Sequence, residues 1–117
     1  DATKAVAELG YQLIGTFSLI HPESILSQSW RGNGATLRCV AVDPAFHGLE
    51  LSSLLLRESD RIAQLWKANW IALHVQRGAD KVAALYQAHG YVRDPKGDKH
   101  SFGYPIDGYV KEVRLAH

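Results

Sequence analysis

The segment DPAFHGLELSSLLL, residues 43–56, has the pattern of a sharp turn that leads directly into a helix. The first four backbone N–H groups of a helix have no partner within it, and Gly48 lets the backbone approach a ligand closely. Such groups suit phosphate oxygens. However, Glu50, Ser52 and Ser53 could cap the helix themselves. The turn alone therefore leaves two interpretations open, a phosphate site and an ordinary helix cap.

Apolar periodicity predicts the elements that would position this turn. Runs that alternate or stay apolar over a few residues indicate strands, whereas apolar residues three or four apart indicate helices. The pattern predicts a helix over 1–10, strands over 11–20, 25–30 and 35–42, a helix over 49–67, a strand over 70–75, a helix over 80–89 and strands over 91–93 and 108–115. A hairpin turn is expected at 31–34 and a polar loop over 94–107.

Helix 49–67 has the strongest amphipathic pattern and is expected to cover a sheet. Its predicted apolar side consists of Leu51, Leu54, Leu55, Ile62, Leu65 and Trp66. A strand, a helix and then another apolar strand indicate a parallel or mixed sheet, because parallel neighbours need a crossover. Ligands collect at the carboxyl ends of such strands. Residues 43–53 and 76–80 are therefore expected to converge on one crevice.

Composition narrows the class of protein. The chain has 117 residues, 46% of them hydrophobic, which suits one globular domain. Its 13 basic and 12 acidic residues nearly cancel, so a nucleic-acid partner is not expected. A lone Cys39 gives no internal disulfide framework and favours a reducing compartment, so we expect a cytoplasmic protein. No apolar run suggests a membrane partner.

Several kinds of site are absent from the sequence. The six histidines form no His-x-x-x-His pair, and with one cysteine they offer no zinc ligand set, so no metal is expected. The sequence contains no phosphate-binding P-loop, no Gly-x-Gly-x-x-Gly and no Gly-x-Ser-x-Gly nucleophile elbow. Nucleotide triphosphate, dinucleotide and serine-hydrolase chemistry are thereby disfavoured.

Two segments, 37–56 and 71–92, together resemble the GNAT superfamily of CoA-dependent N-acyltransferases. In that family a strand ending in Val-x-Pro leads into a glycine-containing loop whose amides hold the CoA pyrophosphate. A later helix carries the pattern LYxxxGF, matched here by LYQAHGY at 85–91. The resemblance implies an α+β fold, with a mixed, mostly antiparallel sheet, a central β-α-β-α-β unit and helices on both faces. Residues 1–117 would form a single domain from which the family's first strand and first helix are missing.

The resemblance also implies acetyl-CoA as co-substrate and a set of CoA-binding positions. These are Val40, Ala41, Val42, His47, Gly48, Leu49, Glu50, Leu51, Ser52, Ser53, Ala79 and Tyr86. The chain departs from the family pattern in four places. His47 stands where Arg or Gln is usual, Glu50 and Ser52 replace signature small residues, and Ala79 stands where an asparagine often occurs.

Tyr86 is the predicted general acid, because the family's tyrosine at this position lies beside the CoA sulfur. A phenol can donate a proton to a departing thiolate at neutral pH. The competing interpretation is that Tyr86 is an ordinary packing residue of an amphipathic helix.

His74 is the predicted general base, because amine acetylation requires a neutral nitrogen and imidazole titrates near neutral pH. It is carried by an apolar strand next to the crevice, where it could equally be a hydrogen-bonded core or surface residue. No carboxylate stands near Thr36, where some family members carry a glutamate. Glu23, Asp107, Glu112 or a water relay are further alternatives.

Two functions are therefore predicted as alternatives. The first is an acetyl-CoA-dependent N-acetyltransferase that passes acetyl directly to a primary amine on a small molecule or a peptide. The second is a non-catalytic acyl-CoA-binding or interaction module that has kept the GNAT fold. The sequence is compatible with either a monomer or a homodimer. No motif of the sequence identifies the acceptor.

Overall fold

The computed structural model describes residues 11–14, 17–39 and 49–114. Over these residues the chain forms seven strands, two α-helices and one short 3-10 helix. In chain order they are β1 (Tyr11–Ile14), β2 (Phe17–Ile20), β3 (Gly34–Cys39), α1 (Leu49–Leu65), β4 (Trp70–Gln76), α2 (Asp80–Ala88), β5 (Val92–Arg93), the 3-10 helix Pro95–Gly97, β6 (Lys99–Ser101) and β7 (Tyr104–Glu112). The succession β3-α1-β4-α2-β5 is the β-α-β-α-β unit that the sequence predicts.

The strands form one mixed sheet in the order β1-β2-β3-β4-β7-β5, with β6 also paired to β7. The β3–β4 pair is parallel, and the other paired strands run antiparallel. Helix α1 connects the two parallel strands, as a parallel crossover requires. The predicted mixed and mostly antiparallel sheet is therefore confirmed.

Strands β3 and β4 separate part of the way along their length. Their parallel pairing covers Gly34–Thr36 of β3 and Trp70–Ala72 of β4. Beyond this point β3 remains paired to β2 up to Cys39, and β4 remains paired to β7 up to Gln76. Each strand thus follows its outer neighbour, and a gap opens between β3 and β4 inside the sheet.

The two faces of the sheet are covered differently. Ile71, Leu73 and Val75 alternate along β4 and share one buried cluster with Leu56 of α1 and Tyr86 of α2, so both α-helices pack on this face. The intervening His74 projects to the opposite face, where it contacts Gly97 of the 3-10 helix. Helical segments therefore lie on both faces, as expected.

Three predicted segments differ from the structure. Residues 11–20 form two paired strands rather than one, with Ile14 opposite Phe17. Residues 25–30 form turns and extended backbone, not a strand, because their polar groups bond elsewhere; the Gln28 N–H, for example, donates to Thr36 Oγ1 at 3.0 Å. The predicted polar loop 94–107 contains the 3-10 helix, β6 and the start of β7.

The buried stripe of α1 agrees with the predicted one only in part. Ile62 is buried, and Leu55 and Trp66 pack against the core, as predicted. Leu54 and Leu65 are 57% and 67% exposed, whereas Leu56 is 1% exposed and Ser59 fully buried. Ser59 can occupy the core because its hydroxyl donates to the Leu56 carbonyl at 2.7 Å, which satisfies a polar group that would otherwise be unpaired.

Among the residues that the structure describes, no helix is long and apolar enough to cross a membrane.

Candidate active site

A cavity of about 260 Å³ lies at the point where β3 and β4 separate. It is lined by Gln28, Thr36, Leu37, Arg38, Leu73, His74 and Tyr86. Because side chains alternate along a strand, residues from both faces of the sheet reach this gap. The cavity therefore connects the face covered by the α-helices with the face that carries His74.

Tyr86 borders the cavity from the helical face. It lies in the second turn of α2 and is 8% exposed. The Tyr91 ring packs against it edge to face, with the ring centroids 5.7 Å apart. The helix ends just beyond, where Gly90 adopts a φ of +94° that suits glycine and turns the chain towards β5. Burial and ring packing therefore fix the orientation of Tyr86.

His74 borders the same cavity from the opposite face. Its Nε2 lies 3.0 Å from the Gly97 carbonyl oxygen, and its ring is 5.1 Å from that of Trp30. A carbonyl only accepts, so Nε2 carries the hydrogen and Nδ1 has the free lone pair of the neutral ring. Burial lowers the pKa of His74, and the nearby Lys99 cation lowers it further. The contacts with Gly97 and Asp98 oppose this shift without cancelling it.

Asp94 links the loop that precedes β3 to the segment between β5 and the 3-10 helix. Its Oδ2 accepts from Trp30 Nε1 at 2.8 Å and from Arg31 Nε at 2.9 Å, and its Oδ1 accepts from the Lys96 N–H at 3.2 Å. These bonds lower the pKa of Asp94, the Trp30 bond most strongly, and so keep the buried carboxyl ionised. This link holds Trp30 against His74.

The predicted CoA turn is described only in part. Val40, Ala41, Val42, His47 and Gly48 lie outside the described residues. Helix α1 begins at Leu49, so Leu49, Glu50, Leu51 and Ser52 form its first turn, at the position where the sequence predicts a helix start.

Two other predicted CoA-binding positions are described in more detail. Ser53 is half-buried, and its Oγ lies 3.0 Å from Nε2 of His89, a contact that the sequence does not predict. Ala79 precedes α2, where its N–H donates to the Gln76 carbonyl at 3.0 Å. This amide is therefore already used within the turn.

The remaining candidate bases do not line the cavity. Asp107 accepts from Arg77 Nε at 2.9 Å and from Arg93 at 3.1 Å, while Glu23 and Glu112 are exposed. No group of three or more potential metal ligands occurs among the described residues.

Sequence reasoning overlooked two polar residues that line the cavity, Gln28 and Arg38. Arg38 follows Thr36 by two positions on β3, so strand alternation could have placed both on one face. Gln28 carries no such signal, because its position depends on how the loop folds over the sheet.

Comparisons with known proteins identify the family and the fold of the chain. The acetyltransferase (GNAT) family model matches residues 1–91. No curated protein matches the chain. The solved structures that it resembles include the ribosomal-protein-S18-alanine N-acetyltransferase from Escherichia coli, with a TM-score of 0.65, 18% identity and coverage of 97% of this chain and 78% of that one.

Two further solved structures have the same fold. A chimeric spermidine N-acetyltransferase from Vibrio cholerae gives a TM-score of 0.68 at 16% identity, covering 95% of this chain and 72% of that one. Ard1 from Thermoplasma volcanium gives 0.63 at 17% identity, covering 86% and 64%. These likenesses confirm the predicted GNAT-like α+β fold, and the family model spans most of the sequence. The chain therefore belongs to the GNAT family of acetyltransferases.

Proposed function

We propose that the chain is an acetyl-CoA-dependent N-acetyltransferase that passes acetyl directly to a primary amine. The observation that supports this most strongly is the cavity between the separated strands of a GNAT-family sheet, with Tyr86 on one side and His74 on the other. A tyrosine and a histidine on opposite sides of one gap could serve the leaving group and the incoming nucleophile separately.

In this proposal the acetyl thioester lies in the gap between β3 and β4. The acceptor nitrogen attacks the carbonyl carbon, the C–S bond breaks, and the sulfur leaves with the electron pair. Tyr86 donates its phenolic proton to this thiolate, whose charge makes it a poor leaving group unless a donor meets it. The nitrogen loses one proton to a base, and the Tyr86 phenolate regains one from solvent, so the enzyme is restored.

CoA would be held by the positions that the sequence predicts. In this proposal the amides that are free at the start of α1, within residues 47–53, would bind the pyrophosphate. The backbone of Val40 and Val42, on either side of Ala41, would bind the pantetheine. Ala79 contributes packing in this proposal, because its N–H is bonded to Gln76.

A substitution at Glu50 tests whether this turn binds the CoA pyrophosphate, because a carboxylate beside a phosphate should weaken CoA binding. At several ångströms in a water-like medium the repulsion is about 1 kcal/mol, equivalent to a few-fold loss. We expect Glu50→Gln to tighten CoA binding about two- to fivefold, most clearly at low salt. Calorimetric titration with CoA measures this. Weaker binding by the variant would mean that the Glu50 side chain contacts CoA favourably or that CoA binds elsewhere.

His74 is the proposed base, acting through Nδ1 because Nε2 donates to Gly97. A base works when neutral, and burial lowers its pKa, so activity should persist below the usual histidine range and fall only at more acidic pH. We expect His74→Gln, whose amide can still donate to Gly97, to lower kcat about tenfold and to lose this acidic limb. Profiles of kcat/KM against pH provide the measurement. An unchanged limb in the variant would assign it to another group.

The alternative, a non-catalytic acyl-CoA-binding module, is favoured by one observation. No carboxylate lines the cavity in the described part of the chain. Such a module would bind CoA without turnover.

One experiment separates the two functions. The chain is incubated with acetyl-CoA and a panel of primary amines while free thiol is monitored, and CoA binding is followed by thermal shift. Binding with amine-dependent thiol release supports the enzyme, whereas binding without release supports the module. If a folded sample binds no CoA, both proposals fail.

A further inference from the structure

The rim of the cavity on the His74 face is positively charged. Arg38 lines the cavity, is exposed, and has no ion-pair partner among the described residues. It follows Thr36 by two positions on β3, and Thr36 is in register with Ala72, which precedes His74 by two on β4. By strand alternation Arg38 and His74 therefore project from the same face, on opposite sides of the gap.

Lys99 is a second cation at this rim. Its Nζ donates to Gln28 Oε1 at 3.2 Å, and Gln28 lines the cavity. Lys99 also acts on the His74 imidazole, whose pKa it lowers. The cation on β6 is thus close enough to the cavity to influence a group inside it.

Two carboxylates near this rim, Asp94 and Asp98, are held in ion pairs. Asp94 is bonded to Trp30 and Arg31. Asp98 accepts from both terminal nitrogens of Arg93, at 2.6 and 2.7 Å, and these bonds lower its pKa to about 2. No described carboxylate lines the cavity, so none of the described residues that line it balances the charges of Arg38 and Lys99.

We propose that the acceptor is a primary amine that also carries a carboxylate, as an α-amino acid does, and that Arg38 binds this carboxylate. This inference rests on the proposed acetyltransferase function. A guanidinium can pair with a carboxylate through two parallel hydrogen bonds, which fixes the orientation of the acceptor as well as its charge. Polyamines would be disfavoured, because every additional positive charge is repelled by the same rim.

The same cations would assist the chemistry. A positive neighbour disfavours the ammonium form of the acceptor and so lowers the pKa of its amine. More of the bound acceptor is then neutral and able to attack the thioester. By favouring the neutral amine, the positive rim would do part of what a glutamate base does in the family members that carry one. It would do so without a further titrating group.

Matched acceptors test this inference. Leucine, leucinamide and isoamylamine share one side chain and differ in the carboxylate, and sets based on phenylalanine and serine extend the comparison. With acetyl-CoA saturating, we expect kcat/KM for thiol release to be about tenfold or more higher with the amino acid than with its amide or decarboxylated amine. Equal rates, or a preference for the amide, the amine or spermidine, would overturn the inference.

Variants assign the preference to Arg38. We expect Arg38→Gln to raise KM for the amino acid about tenfold and to leave KM for acetyl-CoA unchanged. Arg38→Glu should shift the preference to isoamylamine. Arg61→Gln is the matched control, because Arg61 is exposed on α1 and pairs with Glu58. If Arg38→Gln instead raises KM for acetyl-CoA alone, Arg38 belongs to the CoA site and the inference fails.

Binding separates this inference from the proposed function. If no amine supports thiol release, the proposed function fails, and titration of the CoA-bound protein with leucine and with isoamylamine decides the inference alone. Tighter binding of leucine, lost in Arg38→Gln, supports it. Equal binding of the two, or no binding of either, overturns it.

Discussion

Replacing Tyr86 with phenylalanine is expected to lower kcat ten- to a hundredfold or more and to leave CoA affinity almost unchanged. The substitution removes the phenolic proton donor and keeps the ring, which is 8% exposed and packs edge to face on Tyr91. Only the step in which the thiolate departs should be affected. The measurement is single-turnover thiol release, so that product dissociation does not mask the chemistry, combined with calorimetry for CoA.

Tyr91→Phe is the matched control for this prediction. The Tyr91 hydroxyl is buried and makes no hydrogen bond of normal length with a described residue. The neighbouring Ser59 hydroxyl already donates to the Leu56 carbonyl, so removal of the Tyr91 hydroxyl leaves this donor satisfied. We expect the control to keep kcat within about twofold, because its ring still supports Tyr86. Unchanged turnover in Tyr86→Phe, with chemistry limiting the rate, would show that Tyr86 is a packing residue only.

The sequence predicts the central fold well because local pattern and tertiary structure agree there. The amphipathic period of α1, the apolar run of β4 and the glycine after α2 each indicate their element independently. Together they also determine that β3 and β4 are parallel, since a helix must connect them. The exposed Leu54 and Leu65 show the limit of this reasoning. A periodic pattern predicts a helix, but the position of its buried stripe depends on the sheet beneath.

Segments that depend on distant contacts could not be predicted. The loop 21–33 folds over the sheet because Trp30 and Arg31 bond to Asp94, more than 60 residues further along the chain. The β6–β7 hairpin turns at Phe102 and Gly103, with φ of +52° and +82°. Phenylalanine is rare at positive φ, so turn statistics would not indicate a hairpin at this position.

The candidate site was predictable only where its residues belong to local sequence patterns. Tyr86 belongs to a local motif and His74 to an apolar strand that leads to the crevice, and both border the cavity. The chemical partners of His74 are not local. They come from two stretches of chain distant in sequence: Gly97 fixes the His74 tautomer, Trp30 packs on its ring, and Lys99 lowers its pKa.

The 3-10 helix Pro95–Gly97 packs on β7 on one side and contacts the site residues His74 and Trp30 on the other. It packs on β7 at Gly108, whose N–H donates to Asp98 Oδ1 at 3.0 Å and whose carbonyl accepts from the Asp94 N–H at 2.8 Å. Gly97 in turn accepts the hydrogen bond of His74 and leaves room for the Trp30 ring. A displacement at Gly108 should therefore shift Gly97 and change the positions of both His74 and Trp30.

Gly108→Ala is accordingly expected to be strongly destabilising. An added Cβ would lie 2.8 Å from Gly97 Cα and 2.9 Å from the Asp94 carbonyl oxygen, and backbone atoms held by hydrogen bonds cannot move aside cheaply. Overpacking of this kind costs roughly 1–3 kcal/mol, and loss of the Asp94 and Asp98 bonds would add to it. We expect a fall in Tm of about 10 °C.

Gly32→Ala provides the control for this substitution, since a Cβ at Gly32 meets no atom within 4 Å. We expect its Tm to stay within about 2 °C of the parent. Thermal unfolding of the three proteins gives the comparison, and near-ultraviolet circular dichroism reports whether the Trp30 environment has changed. Because the substitution acts on the packing around His74, Gly108→Ala should also lose activity below its own Tm. A Gly108→Ala protein with parental Tm would mean that the 3-10 helix can shift freely on β7, and its packing could then not be what holds Trp30 and His74 in place.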